Sequence, residues 1–148
     1  MSNPVSILND LIETLKDGQE GFRAAAEDVD SSNLKTLFGE LSLQRSKFAG
    51  ELQMLARTLS GEEPEKSGSV AGAVHRGWID LKAALVSRNE HAILAECERG
   101  EDSAVAAYRD ALDSGSLPSS VVTAVQVQAD AVKAAHDRIR DLRDATAS

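Results

Sequence analysis

Four polar residues interrupt apolar helical repeats, and they are the residues of this chain best placed to do chemistry together. In four long stretches, apolar residues recur at alternating spacings of three and four, which is the seam of a helix packed nearly antiparallel to its neighbour. Each seam has one polar residue near its middle: Gln19, Gln44, Glu101 and Gln128. If the stretches form one bundle, these side chains meet in a buried polar layer. Such a layer can hold a metal ion or can hydrogen-bond only to itself.

The residue types in this layer argue against a tightly held pair of metal ions. A dinuclear carboxylate site in a helical bundle takes one Glu from each of two helices and a Glu-x-x-His pair from each of the other two. Three of the four layer residues are amides, and no Asp/Glu-x-x-His sequence occurs in the chain. An amide lacks the charge that neutralises a metal ion. We therefore predict a hydrogen-bonded network that fixes helix register, with Arg45 as the candidate cation for Glu101.

An unusual ligand set is the alternative interpretation. The carboxylates of Glu101, Glu98 and Glu20 and the imidazole of His136 could bind iron or another divalent metal if all four faced one cavity. His136 lies beside the apolar seam of the last stretch, where a lone histidine is more often a core or boundary residue than a ligand. Both interpretations stay open at the level of the sequence.

The usual signatures of an enzyme are absent from the sequence. Cys97 is the single cysteine and falls on an apolar seam, so we expect a structural thiol and no intramolecular disulfide. There is no Gly-rich phosphate loop, no Cys-x-x-Cys pair and no motif that indicates a Ser/His/Asp set. We expect a protein without catalytic residues and without a resident cofactor, unless the alternative metal set is real.

Five predicted helices must position these residues. They cover about residues 4–29, 32–59, 69–87, 89–113 and 117–148. The turns at 30–33 and 114–116 close two hairpins, whereas residues 60–87 form a long connection with a short helix of its own. Its apolar stripe consists of Val70, Val74, Trp78, Leu81 and Leu85. A long connection of this kind is typical of the ferritin-like arrangement, because plain up-down bundles use short loops throughout.

Two glycines next to the polar layer predict close packing there. Gly18 precedes Gln19 and Gly100 precedes Glu101. A glycine inside a helix costs about 1 kcal/mol relative to Ala, so some gain must offset it. A close approach of backbones or a local bulge at the layer would supply this gain, and we expect close packing at both positions.

Composition limits the class of protein and of partner. The chain has 148 residues, which predicts one domain over 1–148, and 24 acidic against 16 basic residues give a net charge of −8. An acidic surface repels phosphate backbones and anionic lipid, so we expect neither nucleic acid nor membrane as a partner. The sequence shows no basic, apolar leader and no run of about twenty apolar residues. We expect a soluble, cytoplasmic protein, with a homo-oligomer or a protein partner left open.

Several short motifs also resemble those of a known family. They are Leu8-Asn-Asp-Leu11, Asp17-Gly-x-Glu20-Gly-Phe22, Arg45-x-x-Phe48-x-x-Glu51-Leu52, His75-Arg-Gly-Trp78, Glu98-Arg-Gly-Glu101-Asp102 and His136-Asp-x-Ile139-Arg140. Together they span nearly the whole chain and resemble a bacterial group of ferritin-like four-helix bundles known as domain of unknown function 2383. The resemblance implies a fold and brings no established activity.

The sequence thus predicts an all-α, ferritin-like four-helix bundle with an additional short helix in the crossover. The leading hypothesis for function is a non-catalytic interaction or stress-associated protein with a degenerate metal site. Tightly bound metal in stoichiometric amount would contradict this hypothesis. The alternative is a metal-binding or oxidoreductase-like protein that uses Glu101, Glu98, Glu20 and His136. A third hypothesis is self-association through an apolar strip near Trp78, which sedimentation would test.

Overall fold

Five α-helices make up the described part of the chain. The computed structural model describes residues 3–60 and 78–146. Its helices are α1 (Pro4–Asp28), α2 (Ser32–Ser60), α3 (Leu81–Ser87), α4 (Glu90–Asp113) and α5 (Ser119–Thr146). The prediction of an all-α fold with four long helices is confirmed. Within the described ranges, no helix is both long and apolar enough to cross a membrane.

Side chains just before the helices determine where they begin. The Oδ1 atom of Asn3 accepts a hydrogen bond from the Val5 backbone N–H at 2.8 Å, and Asn89 Oδ1 accepts one from Ala92 at 3.0 Å. Ser31 Oγ accepts from the Leu34 N–H at 3.3 Å, within the turn predicted to supply an N-cap. These oxygens bind N–H groups that the first turn of a helix leaves without a carbonyl partner.

The directions of the helices follow from contacts at one end of the bundle. Arg88, just before α4, donates to the carbonyl of Asp28 at the end of α1, at 2.8 Å. Nδ1 of His91 in the first turn of α4 lies 3.1 Å from the carbonyl of Arg143 near the end of α5. Helix α4 therefore runs antiparallel to both α1 and α5. Helix α1 packs against α2 and against α4. Helix α5 packs mainly against α4, and its contact with α2 is slight.

The described end of the crossover is a turn followed by a short helix. The predicted helix 69–87 falls partly on residues 69–77, which lie outside the described residues together with Val70 and Val74. Residues 78–80 form a non-helical turn, and α3 starts at Leu81. The backbone N–H of Asp80 donates to the Oε2 atom of Glu96 on α4 at 2.8 Å. Its partner is therefore a side chain of another element and not a helix carbonyl. This bond ties the turn to α4.

Trp78 fills a slot between α1 and α4. Its indole is buried and meets the Phe22 ring edge to face, with ring centroids 5.0 Å apart. A Cβ atom added at Gly21 would lie 2.4 Å from the indole, and one added at Gly100 would lie 2.2 Å from it. The close approach predicted at Gly100 therefore exists, but the approaching group is a side chain rather than a backbone. Because Trp78 is buried, its ring is not part of an exposed apolar strip.

The apolar core consists of two clusters, one toward each end of the bundle. The cluster around Trp78 includes Phe22, Phe38, Leu94 and Ile139. The other cluster includes Leu8, Leu15, Leu52, Tyr108 and Val125. A buried polar layer, described below, lies between them.

Filling the tryptophan slot is expected to destabilise the protein. Gly100→Ala should displace the indole and lower the free energy of unfolding by about 1–3 kcal/mol, which outweighs the better helix propensity of Ala. Trp78 is the single tryptophan of the chain, so its fluorescence emission should also shift to longer wavelength. Denaturant unfolding followed by fluorescence measures both effects.

The matched control is Gly39→Ala on α2. A Cβ atom at Gly39 would meet nothing within 4 Å, so this variant should be neutral or more stable by up to about 1 kcal/mol. If Gly100→Ala changed neither the emission nor the stability, the placement of the indole against Gly100 would be contradicted.

Candidate functional site

An ion pair occupies the centre of the bundle. Arg45 of α2 and Glu101 of α4 are 1% and 0% exposed. The Nη2 atom of Arg45 donates to Oε2 of Glu101 at 2.6 Å, and Nη1 donates to Oε1. The planar guanidinium thus engages both carboxylate oxygens, the geometry that makes arginine the preferred partner of a buried carboxylate. The cation that the sequence suggested for Glu101 is present.

Neighbouring groups hold the guanidinium in place. The Nε atom of Arg45 donates to Oε1 of Gln44 at 3.1 Å. The Phe22 ring centroid lies 5.3 Å from Cζ, within the range of a cation–π contact. Gly18 faces the same side chain, since a Cβ atom there would lie 3.4 Å from Nη1, at ordinary van der Waals distance. The approach predicted at Gly18 is therefore less tight than the one at Gly100, and helix α1 contributes an aromatic face to the ion pair.

A second buried network surrounds Gln128 on α5. The hydroxyl of Tyr108 donates to Oε1 of Gln128 at 2.7 Å. The amide nitrogen of Gln128 donates to Oε1 of Glu51 at 2.9 Å and to the carbonyl of Phe48 at 3.3 Å. Burial raises the pKa of Tyr108 above its ordinary value, although the charge of Arg45 opposes this. The phenol therefore stays protonated and acts as a donor.

The four predicted layer residues differ in their burial. Glu101 and Gln128 are buried, whereas Gln19 and Gln44 are half-buried. Gln44 takes part through its bond to Arg45, and the backbone carbonyl of Gln19 accepts from Ser42 Oγ at 2.9 Å. The layer is therefore a mixture of an ion pair and amide hydrogen bonds.

Helix α2 buries half of its predicted seam. The apolar repeat predicts the seam Leu34, Leu37, Leu41, Gln44, Phe48, Leu52, Leu55 and Leu59. Four of these residues are buried, but Gln44, Phe48 and Leu55 are half-buried and Leu59 is exposed. The buried positions of the helix are Leu34, Leu37, Phe38, Leu41, Arg45, Ala49, Leu52 and Ala56. From Leu41 onward these positions also have spacings of three and four, which was the signal available in the sequence. Two alanines and an arginine look less like core residues than Phe and Leu, so the pattern of large apolar residues favoured Gln44, Phe48 and Leu55 in their place.

Cys97 is a structural residue, as expected. It is fully buried in the cluster around Trp78. Burial raises the pKa of its thiol well above the ordinary value, and the nearby carboxylates of Glu101 and Glu96 add to the effect. A protonated, buried thiol is a poor nucleophile and a poor metal ligand.

The alternative ligand set is divided among three places. Glu101 faces the interior and binds Arg45. Glu20 lies on the exposed side of α1 and pairs with Arg23 at 2.5 Å. Glu98 and His136 meet at the interface of α4 and α5, where Oε2 of Glu98 lies 3.7 Å from Nε2 of His136. The four groups therefore do not face one cavity.

Asp102, which the sequence interpretation did not select, joins Glu98 and His136. Its Oδ1 atom lies 2.6 Å from Nε2 of His136, and Asp137 Oδ1 lies 3.0 Å from Nδ1 of the same ring. Asp102 follows Glu98 by four residues, so a helical spacing was the available signal. Partial burial lowers the pKa of His136, but the hydrogen bonds to Asp137 and Asp102 and the charge of Glu98 outweigh it, so the pKa lies above its ordinary value.

Comparison with known proteins identifies the family. A family model described as "Domain of unknown function (DUF2383)" matches residues 3–114, from the N-cap of α1 to the end of α4. The chain belongs to this family. The DUF2383 match includes Arg45, Glu98 and Glu101, whereas Gln128 and His136 on α5 lie beyond it. No curated protein matches the chain. The family resemblance stated from the sequence is confirmed, and a relation to ferritins stays a prediction.

Breaking the ion pair from one side is expected to be costly. Arg45→Met leaves a buried carboxylate without its cation and should lower the free energy of unfolding by about 3–5 kcal/mol. The double variant Arg45→Met/Glu101→Leu leaves no buried charge and should recover most of this loss, because well-packed apolar groups often replace a buried ion pair without cost. Urea unfolding followed by circular dichroism measures both.

Arg23→Met is the matched control for the loss of an arginine. Arg23 pairs with Glu20 and Glu27 on the exposed side of α1, and because water screens exposed ion pairs, its loss should leave the free energy of unfolding nearly unchanged. A double variant no more stable than Arg45→Met would show that the guanidinium matters for packing rather than for charge.

Proposed function

We propose that this protein is a non-catalytic helical-bundle scaffold, an interaction or stress-associated protein in which an internal ion pair stands where a metal centre could lie. The Arg45–Glu101 pair carries this proposal. Both oxygens of the central carboxylate already bind a cation that is part of the chain. A metal ion would have to displace that cation before it could bind Glu101.

The charges around the pair make such a displacement unfavourable. Arg45 and Glu101 neutralise one another, and the groups that complete their surroundings are the Gln44 amide, the Phe22 ring and Gly18. A divalent ion added to this environment would carry a charge that one carboxylate does not neutralise. Burial of an uncompensated charge is costly, and arginine does not lose its proton in a protein. The corresponding proposal is that no metal cofactor resides in the interior.

The test is elemental analysis after anaerobic incubation with ferrous iron and removal of free iron. It is best done on His136→Gln, because this substitution removes the imidazole that lies beside Glu98 and Asp102 of α4. The proposal predicts no iron stoichiometric with this variant. Stoichiometric iron in His136→Gln that disappears when Glu101→Gln is added would contradict the proposal and make the polar layer a metal site.

The alternative is a metal-binding role for Glu101, Glu98, Glu20 and His136. Two of these four groups are held by arginines, and the other two lie close together. Glu20 is tied to Arg23, and Glu101 is tied to Arg45. Glu98 and His136 remain together, and they are considered further below.

A partner protein or a second copy of the chain is also part of the proposal. Its support is a pair of exposed apolar side chains on the crossover, Ile79 and Val86, which are 55% and 75% exposed. If these residues make the contact, sedimentation should show dimers of the wild type and monomers of Val86→Lys. A wild type that stays monomeric at high concentration would remove self-association and leave only a different protein as partner.

A further inference from the structure

A cluster of ligand groups lies outside the polar layer, at the interface of α4 and α5. We propose that Glu98, Asp102 and His136 form a mononuclear site for a divalent transition metal such as Zn²⁺ or Co²⁺. The oxygens of the two carboxylates and a ring nitrogen of the histidine lie within 4.8 Å of one another. The site shares no residue with the Arg45–Glu101 pair and does not depend on the scaffold proposal.

The helices bring the three donors together. Glu98 and Asp102 are four residues apart on α4, which puts their side chains on the same face one turn apart. His136 reaches the same place from α5. One imidazole nitrogen with two carboxylate oxygens suits zinc, iron, cobalt or nickel better than magnesium or calcium, which prefer oxygen alone. Three protein ligands also leave a coordination position for water.

The two distances from Nε2 of His136 to the carboxylates are close to those that a metal ion requires. Ligand atoms bound tetrahedrally at about 2.0–2.2 Å lie about 3.4 Å from one another. Oε2 of Glu98 and Nε2 of His136 are already 3.7 Å apart. Oδ1 of Asp102 lies 2.6 Å from the same nitrogen, so this side chain must retreat by less than about 1 Å. The Asp102 side chain is 62% exposed and can rotate without disturbing the core.

Neighbouring residues orient the two ligands that are mostly buried. Nδ1 of His136 lies 3.0 Å from Oδ1 of Asp137, a contact that directs Nε2 toward Glu98 and Asp102. A carboxylate behind a metal-binding histidine is the common second partner in such sites. Arg143 donates to Oε1 of Glu98, which leaves Oε2 facing the histidine. Two of the three ligands are therefore held in position before a metal arrives.

The nearby cations set an upper limit on affinity. Arg143 pairs with Glu98, while Lys133 and Arg140 pair with Asp137. Each reduces the negative potential that a divalent ion experiences at the cluster. In the metal-free protein, the direct contact between Nε2 of His136 and Oδ1 of Asp102 closes the position where the metal would bind. We therefore expect reversible binding rather than a permanently held structural ion.

The experiment is a titration of chelator-treated protein with Co²⁺, followed by visible absorption, and with Zn²⁺, followed by calorimetry. One equivalent is expected to bind to the wild type. His136→Gln and Asp102→Asn should each weaken binding at least about tenfold. Loss of a residue that only hydrogen-bonds to a metal ligand already weakens metal affinity by about tenfold or more, and loss of a ligand should cost no less. The double variant Arg45→Met/Glu101→Leu should bind as the wild type does, which separates this site from the polar layer.

Two matched controls identify non-specific binding. His91→Gln removes a histidine of α4 in place of the one on α5, and Asp110→Asn removes another exposed carboxylate of α4. Both should keep the affinity of the wild type. Equal affinity in all variants, or no binding to the wild type, would overturn the proposal. Because Asp102 is exposed, Asp102→Asn stays folded and informative even if His136→Gln disturbs the interface of α4 and α5.

Discussion

Two opposite charges, on Arg45 and Glu101, are buried face to face in the middle of the bundle, and much of the surrounding packing keeps them paired. Taking two such charges out of water costs several kcal/mol for each, and only good geometry offsets it. Here both carboxylate oxygens accept from the guanidinium, and the remaining Nε–H donates to Gln44. Because the pair joins α2 to α4, sliding either helix would leave a buried charge without a partner. The pair therefore fixes the register of the bundle.

The same constraint accounts for residues that look unsuited to a helix interior. Gly18 packs beside the guanidinium, and Phe22 covers the guanidinium from α1. Phe22 also packs against Trp78, whose indole occupies the space left by Gly21 and Gly100. Gly100 immediately precedes Glu101, so consecutive residues of α4 receive the crossover and hold the ion pair. The end of the crossover is thus anchored next to the polar layer.

The sequence predicts the helices better than it predicts their contacts. Caps and turns such as Asn3, Ser31 and Gly115 mark helix ends locally, because their chemistry acts within a few residues. The middle of α2 buries Arg45 and Ala49 rather than Gln44 and Phe48. This register depends on tertiary packing, which the apolar pattern alone does not reveal. Glu98 and His136 were selected as ligands on the assumption of one central cavity, and Asp102 was missed. The distance between α4 and α5 is set by the tertiary packing of both helices, so no spacing along the chain contains it.

The cation of the polar layer is the guanidinium of Arg45 and not a metal ion. Crystals equilibrated with Mn²⁺ provide the decisive test, with anomalous difference maps recorded above and below the manganese absorption edge. We expect electron density for the Arg45 guanidinium on both oxygens of Glu101 and no anomalous peak within bonding distance of that carboxylate. A manganese peak on Glu101, with the arginine side chain turned away, would contradict it.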